Sequence, residues 1–472
     1  MGVLLACVLE TPLLFFIQAI AVGALTLTNQ LEPAFARSLV VCDVPVQPGQ
    51  FTGSATCGDR LLVINEGQVL SAWAQSQEHM WRVVALLVVA GTADISGRRP
   101  AMLRGTCSIC ISMMLFVCAS LYRPWARIFF VMAQGLQGAF PFDLIGAIVK
   151  SDLANRPGAD AQSIFTIVGL LTMFMNVAVK AVSVLLQLLE IDDFLVVWAI
   201  VFVMSLVTFA LTVFYFPETR DWSRKDPSAA STQAASLREE IREYVRVFKS
   251  NALLCPILLR DVFANLAEDS SLKVPACMAI FGYTQAQAVA RFLFLPLWIS
   301  CWSSASPMAI RFLGEKVALR CGRIFMQVTW AVCSFLAPVS SAGFWGLVFV
   351  PKISYGLGAL ESAIQSKCLA AEMQAKSISL LTLSTELVTA VSVRMYSALF
   401  DATAESYLEV GRPFLVSIAF RMVAWLIFWL RIWPHYAPQA DKLQKERLHR
   451  EEMAMNKKVG DSSSVASNKK DL

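Results

Sequence analysis

The chain is 472 residues long; 56% of its residues are hydrophobic, only 16% are charged, and the formal net charge is +5. That balance leaves too little polar surface to cover a soluble globule of this size and places the chain in a bilayer. The mild positive charge is concentrated in loops and the tail, which points to anionic lipid headgroups rather than nucleic acid as the electrostatic partner.

In chain order, the apolar run from Val3 to Leu27 lacks the basic start of a signal peptide and is long enough to span, so it is predicted as the first transmembrane helix, carrying Glu10. Thr28 to Gly67 turns polar, with Pro33, Pro45 and Pro48, and is predicted as a long external loop. Cys42 and Cys57 share this loop and are the one pair placed for a disulfide if it is lumenal or extracellular. Most other cysteines fall in apolar segments, where they pack without partners, and no cysteine or histidine spacing matches a zinc site, so no metal and no cofactor are predicted. The second span, Leu70 to Ala90, begins polar with Gln75, Glu78 and His79. Ala90 to Arg99, AGTADISGRR, then makes a tight connection: Gly97 supplies backbone freedom, Asp94 can cap the next helix or pair with Arg98 or Arg99, and the arginines suit an anionic cytoplasmic face.

Further spans are predicted at Thr106 to Leu121, Ile128 to Val149, Ser163 to Leu189 and Phe194 to Phe216, the last closing with PETR, Pro217 to Arg220. Asp221 to Ser250 is a Ser-, Ala- and charge-rich linker; within it Glu239, Arg242, Glu243 and Arg246 recur at helical spacing, which predicts an amphipathic helix. Six more spans are predicted near Ala252 to Phe281, Gln285 to Phe312, Ile324 to Val339, Phe344 to Ser366, Ser377 to Phe400 and Pro413 to Trp433, before a Lys- and Ser-rich tail expected to be disordered. Loop charges place both termini in the cytoplasm.

The acid, two residues, glycine and two bases of Asp94 to Arg99 resemble the signature loop between the second and third helices of the major facilitator superfamily, where it is a cytoplasmic latch. A worn second copy, GEKVALRCGR, ends in Arg320, Gly322 and Arg323; Gly97 and Gly322 lie 225 residues apart, about half the chain, which suggests two related halves. PETR resembles a motif at the end of the sixth helix in sugar-porter members, and the GRRP and DLANRPG stretches look loosely like tetracycline-resistance-type and folate-carrier-like members. The resemblance implies an all-α integral membrane fold of twelve transmembrane helices in two pseudo-symmetric six-helix halves, residues 1–220 and 251–433. A cytoplasmic linker, 221–250, and a cytoplasmic tail, 434–472, complete this division.

Intramembrane ionisable residues mark faces turned to protein or water. The predicted third, sixth and ninth spans carry none, as the resemblance implies for outer supports, whereas Arg421 in the twelfth is an exception. Candidate substrate or coupling residues are Glu10, Gln134, Asp143, Asn176, Lys180, Glu268, Asp269, Glu361 and Glu386. Asn176 and Lys180 belong to a stripe with Gly169, Thr172, Ser183 and Gln187 along the fifth span. Glu268 and Asp269 precede Pro275, where the seventh span is expected to break; their proton coupling and a salt bridge from Asp269 to Lys273 stand as equal alternatives. Gln134, before Gln137 and Gly138, stands where many proton-coupled relatives carry arginine. The reading is a secondary transporter of a small polar or organic-anion solute working by alternating access, with proton symport open. The alternatives are a transport-inactive sensor or scaffold and a uniporter for a sugar-like solute. An enzyme is not predicted; expected partners are the solute, protons and membrane lipids, without nucleic acid.

Overall fold

The computed structural model describes residues 12–40, 60–142, 194–216, 252–267, 272–292, 294–337, 339–354, 374–404 and 406–438, with scattered positions between them. Among the described residues every regular element is a helix.

Helix α1 (Pro12–Ser38) does not stop at Leu27 but continues into the stretch predicted as loop as far as Ser38, with Pro33 inside it. Three of the polar residues that gave the loop reading are buried: Thr28 is 0%, Glu32 2% and Arg37 4% exposed. Thr28 Oγ1 donates to Ala24 O at 2.8 Å and Glu32 accepts from Ser71 Oγ at 2.9 Å, so a helix carries them into an apolar interior at little cost. Its last carbonyls are met by two cations, Arg123 Nη1 on Ser38 O at 2.9 Å and Arg127 Nε on Leu39 O at 3.2 Å. Helix α2 (Arg60–Ser96) likewise starts before Leu70 and takes up Arg60 and Glu66. The acidic balance of the external loop therefore rests on fewer charges than the sequence suggested.

Helix α2 also runs on through Asp94, and the connection to α3 (Arg98–Leu121) is the single residue Gly97 at φ 98°, ψ 166°, a conformation open to glycine. Gly97 has no capping side chain. The cap is Glu218, from the PETR stretch, whose carboxylate accepts the backbone N–H of Arg98 at 2.8 Å and of Arg99 at 3.1 Å. Arg99 Nη2 returns a bond to Val213 O at 2.8 Å, so the end of the sixth span is fastened to the start of the third.

After a short turn at Arg123–Trp125 come α4 (Ala126–Ala139) and α5 (Phe194–Tyr215). The predicted seventh span is broken as expected, into α6 (Leu254–Leu266) and α7 (Lys273–Phe281), with Pro275 in the first turn of α7. The carbonyls freed at the break are taken by side chains: Tyr396 Oη donates to Leu266 O at 2.6 Å, and Ser417 Oγ and Arg421 Nη2 both donate to Ala267 O at 2.7 Å. Arg421, the apparent exception on an outer helix, thus faces protein and places a cation at the C-terminus of α6. The chain continues through α8 (Gln285–Phe292), α9 (Leu295–Leu313), α10 (Glu315–Leu336), α11 (Ser341–Phe349), α12 (Gln374–Leu399) and α13 (Tyr407–Ile427). A π-helical turn, Phe428–Ile432, extends α13.

Helix α10 corrects the repeat register. It is preceded by Gly314 at φ 75°, ψ 156°, nearly the backbone of Gly97, whereas Arg320, Gly322 and Arg323 all lie inside the helix. The counterpart of Gly97 is Gly314, 217 residues on, and Pro434 follows Pro217 by the same 217. A corner between two helices needs one residue of positive φ, while the bases beside it can drift; matching by bases put the copies at 225. The ninth span is consequently not free of charge, because it begins at Glu315 and contains Arg320 and Arg323.

One core joins α1, α3, α4 and α5 around Phe35, Phe116, Phe130 and Trp198, with Trp198 stacked on Phe116 at 4.6 Å. Two further cores lie in the later helices, one around Phe344, Tyr396 and Phe414 and one around Leu254, Phe428 and Trp433. Helix α2 packs along α4 on one side and α12 on the other, and its Ile64 enters the Phe344 core. Among the described residues three helices are long and apolar enough to cross a membrane by length and composition, Arg98–Leu121, Phe194–Tyr215 and Glu409–Pro438. On α5, Val196, Ile200, Val203, Val207 and Phe214 expose one apolar face while Val197, Val201, Ser205, Thr208 and Thr212 are buried on the other. A face so apolar suits lipid and would be a liability in water.

Candidate functional site

A cavity with about 1130 Å³ of empty space, part of it open to solvent, lies among α1, α2, α3 and α4. From α1 it receives Val22, Thr26, Asn29 and Glu32, and from α2 Gln75, Glu78, His79 and Arg82, in each case residues that share one helix face. Gln137, Phe140 and Phe142 close its other wall. On α2 the opposite face, with Val69, Trp73, Met80 and Val84, is exposed and apolar.

The polar groups are ordered by one another. Glu32 accepts from Ser71 Oγ at 2.9 Å and from Gln75 Nε2 at 3.4 Å, while Gln75 also donates to Ser71 at 3.3 Å. Arg82 Nη2 bonds Glu78 at 2.9 Å, one turn back on the same helix. His79 Nδ1 lies 2.7 Å from Glu386 Oε2 on α12, and Arg82 Nη1 lies 3.7 Å from the other oxygen of the same carboxylate. Glu386 thereby ties the later helices to the wall of a cavity built by the earlier ones. The side chains of His79 and Glu386 remain 21% and 15% exposed, so water reaches the pair. The site presents three carboxylates, one guanidinium and one imidazole, which can bind a polar or charged solute and exchange protons with it.

Close packing fixes the walls. Gly138 on α4 meets α2 so tightly that a Cβ would overlap the Glu78 carbonyl. Gln137 Nε2 donates to Ser112 Oγ at 2.9 Å, Ser112 Oγ to Ala133 O at 2.9 Å and Ser108 Oγ to Leu136 O at 2.8 Å, so α3 and α4 are joined by small polar residues. Gln134 is fully buried, and neither amide atom has a partner among the described residues.

Of the candidate residues, Glu386 lies at the site and Gln134 in the adjoining helix α4. The positions of Glu10, Asp143, Asn176, Lys180, Glu268, Asp269 and Glu361 lie outside the described residues, as do Cys42 and Cys57 and the side chain of Asp94. Arg98 is buried and Arg99 exposed at the Gly97 corner; on α10, Arg320 is exposed and Arg323 buried. Sequence reasoning missed Glu32, which it assigned to a loop, and Arg82. It registered Gln75, Glu78 and His79 only as a polar start, although with Arg82 their spacing of three, four and seven residues already marks one helical face.

No protein-family model and no curated protein matches the sequence. Solved structures do match in fold. A D-xylose–proton symporter is 11% identical, aligning over 88% of this chain and 97% of its own, with a TM-score of 0.64. The nucleoside transporter NupG is also 11% identical, over 88% and 99%, with a TM-score of 0.64. A human organic anion transporter is 12% identical, over 88% and 98%, with a TM-score of 0.56. At these identities the likeness is one of architecture, and by that architecture the chain has the fold of the major facilitator superfamily transporters.

Proposed function

We propose that the chain is a secondary active transporter that moves a small polar or organic-anion solute across a membrane by alternating access of its two halves, 1–220 and 251–433, about the cavity of α1 to α4. The observation that carries this reading is the His79 to Glu386 contact at 2.7 Å, which closes the two sets of helices over a cavity lined by Glu32, Glu78 and Arg82. A solute that draws either partner away would loosen α2 from α12, and this is how binding couples to a change of access. Protons are the coupling ion: Glu32, Glu78 and Glu386 share one site with a single guanidinium, so proton uptake and solute charge exchange for one another there. Symport is also supported by the proton symporter among the structures of like fold.

Both termini, the linker 221–250 and the Gly97 corner face the cytoplasm in this reading, on the strength of the bases in these segments. The Glu218 cap then fastens the cytoplasmic end of the first half through the backbone N–H groups of Arg98 and Arg99, alongside the latch role proposed for Asp94. Lys180, Glu268, Asp269 and Glu361 remain candidates for the wall contributed by other spans. A solute-library thermal-shift screen on purified protein, followed by counterflow in liposomes with the solutes that stabilise it, tests the function. Transport predicts counterflow for at least one stabilising solute; stabilisation without counterflow would assign the chain to sensing or scaffolding.

A further inference from the structure

The outer face of α2, turned away from the cavity, carries an apolar stripe of Leu62, Val69, Trp73, Met80, Trp81 and Val84, each at least 44% exposed. Beside it α4 exposes Ile128 and Met132. Between the two helices runs a groove with about 720 Å³ of empty space, part of it open, whose lining includes Gln77, Trp81, Met132, Gly135 and Ala139. Its depth comes from Gly135, where a Cβ would meet the Trp81 ring at 3.2 Å. The apolar stripe alone suits acyl chains. Gln77 does not: it is half-buried in the middle of the stripe and makes no hydrogen bond among the described residues. In the 37-residue α2 it stands about 25–28 Å from either end, at a depth where acyl chains offer neither donor nor acceptor.

Neither the fold nor lipid contact requires an amide there. At the 217-residue offset set by Gly97 and Gly314, Trp81 corresponds to Trp298 and Gln77 to Phe294, so the second half presents a phenyl ring, 63% exposed, at the equivalent place. An amide carries both donors and an acceptor and is therefore complementary to itself. Two copies in one membrane share one orientation, so a twofold axis along the membrane normal sets residues of equal depth against each other and brings Gln77 to Gln77. The same axis brings opposite flanks of the stripe together. At 100° per residue, Met80 lies on the flank away from α4 and the groove on the flank towards it, so Met80 of one copy meets the groove of the other. We propose that this face docks a second copy of the chain, α2 against α2, with paired Gln77 amides at its centre and Met80 of each copy in the groove of the other. The inference goes beyond transport and stands whether or not the chain carries a solute.

The test counts copies of the full-length, fluorescently tagged chain by single-molecule photobleaching in phosphatidylcholine liposomes over a range of protein-to-lipid ratios. Dimers are expected to accumulate as the ratio rises. Gln77→Leu should need roughly threefold to tenfold more protein per lipid for the same dimer fraction, and Gln77→Asn should fall between. Ala139→Leu, which fills the groove, should weaken the dimer without touching the amide. Both positions line the open groove, so the fold should survive these changes. Gln77→Cys gives an independent reading: oxidation should crosslink two copies beyond the background set by the native cysteines in wild type. Monomers at every ratio, dimers insensitive to both Gln77→Leu and Ala139→Leu, or no added crosslink in Gln77→Cys would overturn the proposal. Monomers that hold a lipid in native mass spectrometry, and lose it in Gln77→Leu, would overturn it in favour of a lipid in the groove.

Discussion

Glu386→Gln is the most informative single change at the site. It keeps the side chain's shape but removes the charge that His79 meets at 2.7 Å and Arg82 at 3.7 Å. The Arg82 and Glu386 charges, 3.7 Å apart, attract by about 4 kcal/mol at an effective dielectric near 20, desolvation offsets much of this, and His79 adds a hydrogen bond to the same carboxylate. With both side chains less than a quarter exposed, a net value in the range of hydrogen bonds to charged groups, about 1.5–3 kcal/mol, is reasonable. That corresponds to a roughly tenfold to hundredfold shift in the equilibrium between packed and separated α2 and α12. Hydrogen–deuterium exchange of the amides on these two helices reads it directly. The variant should expose α2 and α12 by that factor, His79→Gln by less because the Arg82 contact survives, and the double variant should fall short of the sum. Additive effects of the two single changes, or unchanged protection in Glu386→Gln, would refute the role of the pair in holding the halves together.

Glu218→Ala removes a charged acceptor from two backbone N–H groups at the start of α3 and should lower stability by about 1–3 kcal/mol, read as a reduced Tm, while Glu218→Gln should retain part of it. Gly138→Ala places a Cβ against the Glu78 carbonyl and should cost about 1–3 kcal/mol by forcing α2 from α4; unchanged Tm and solute binding would show that the helices are not packed as described. Tyr396→Phe leaves the ring in its core but takes the donor from Leu266 O, costing about 1 kcal/mol and raising exchange at the end of α6.

The helical class and the apolar runs that became α3, α5 and α13 were legible because runs long enough to cross a bilayer are strong signals. Boundaries failed where a polar residue finds its partner on another helix. Glu32 read as loop because its donors Ser71 and Gln75, 39 and 43 positions away, are invisible to a local window, and Thr28 because its contact with Met113 spans 85 positions. The Gly97 corner was legible from its glycine and bases, whereas its cap was not, since Glu218 comes from a stretch 119 and 120 residues distant. The repeat was seen but misregistered, because shared bases at Arg320 and Arg323 outweighed the lone glycine at Gly314. At the site, Glu386 was found as a buried charge in an apolar run, while His79 was passed over because its partner lies 307 residues away.

The central claim, proton-coupled carriage through the cavity of α1 to α4, is tested most directly by uptake into proteoliposomes of a solute that stabilises the protein, with and without an imposed proton gradient, in wild type and Glu32→Gln. Ser71 and Gln75 can still donate to the amide oxygen of the variant, so its fold should survive. The account predicts that the gradient accelerates uptake by wild type and that Glu32→Gln binds and exchanges the solute but no longer responds to the gradient. Gradient-driven uptake that is equally strong in Glu32→Gln would contradict it.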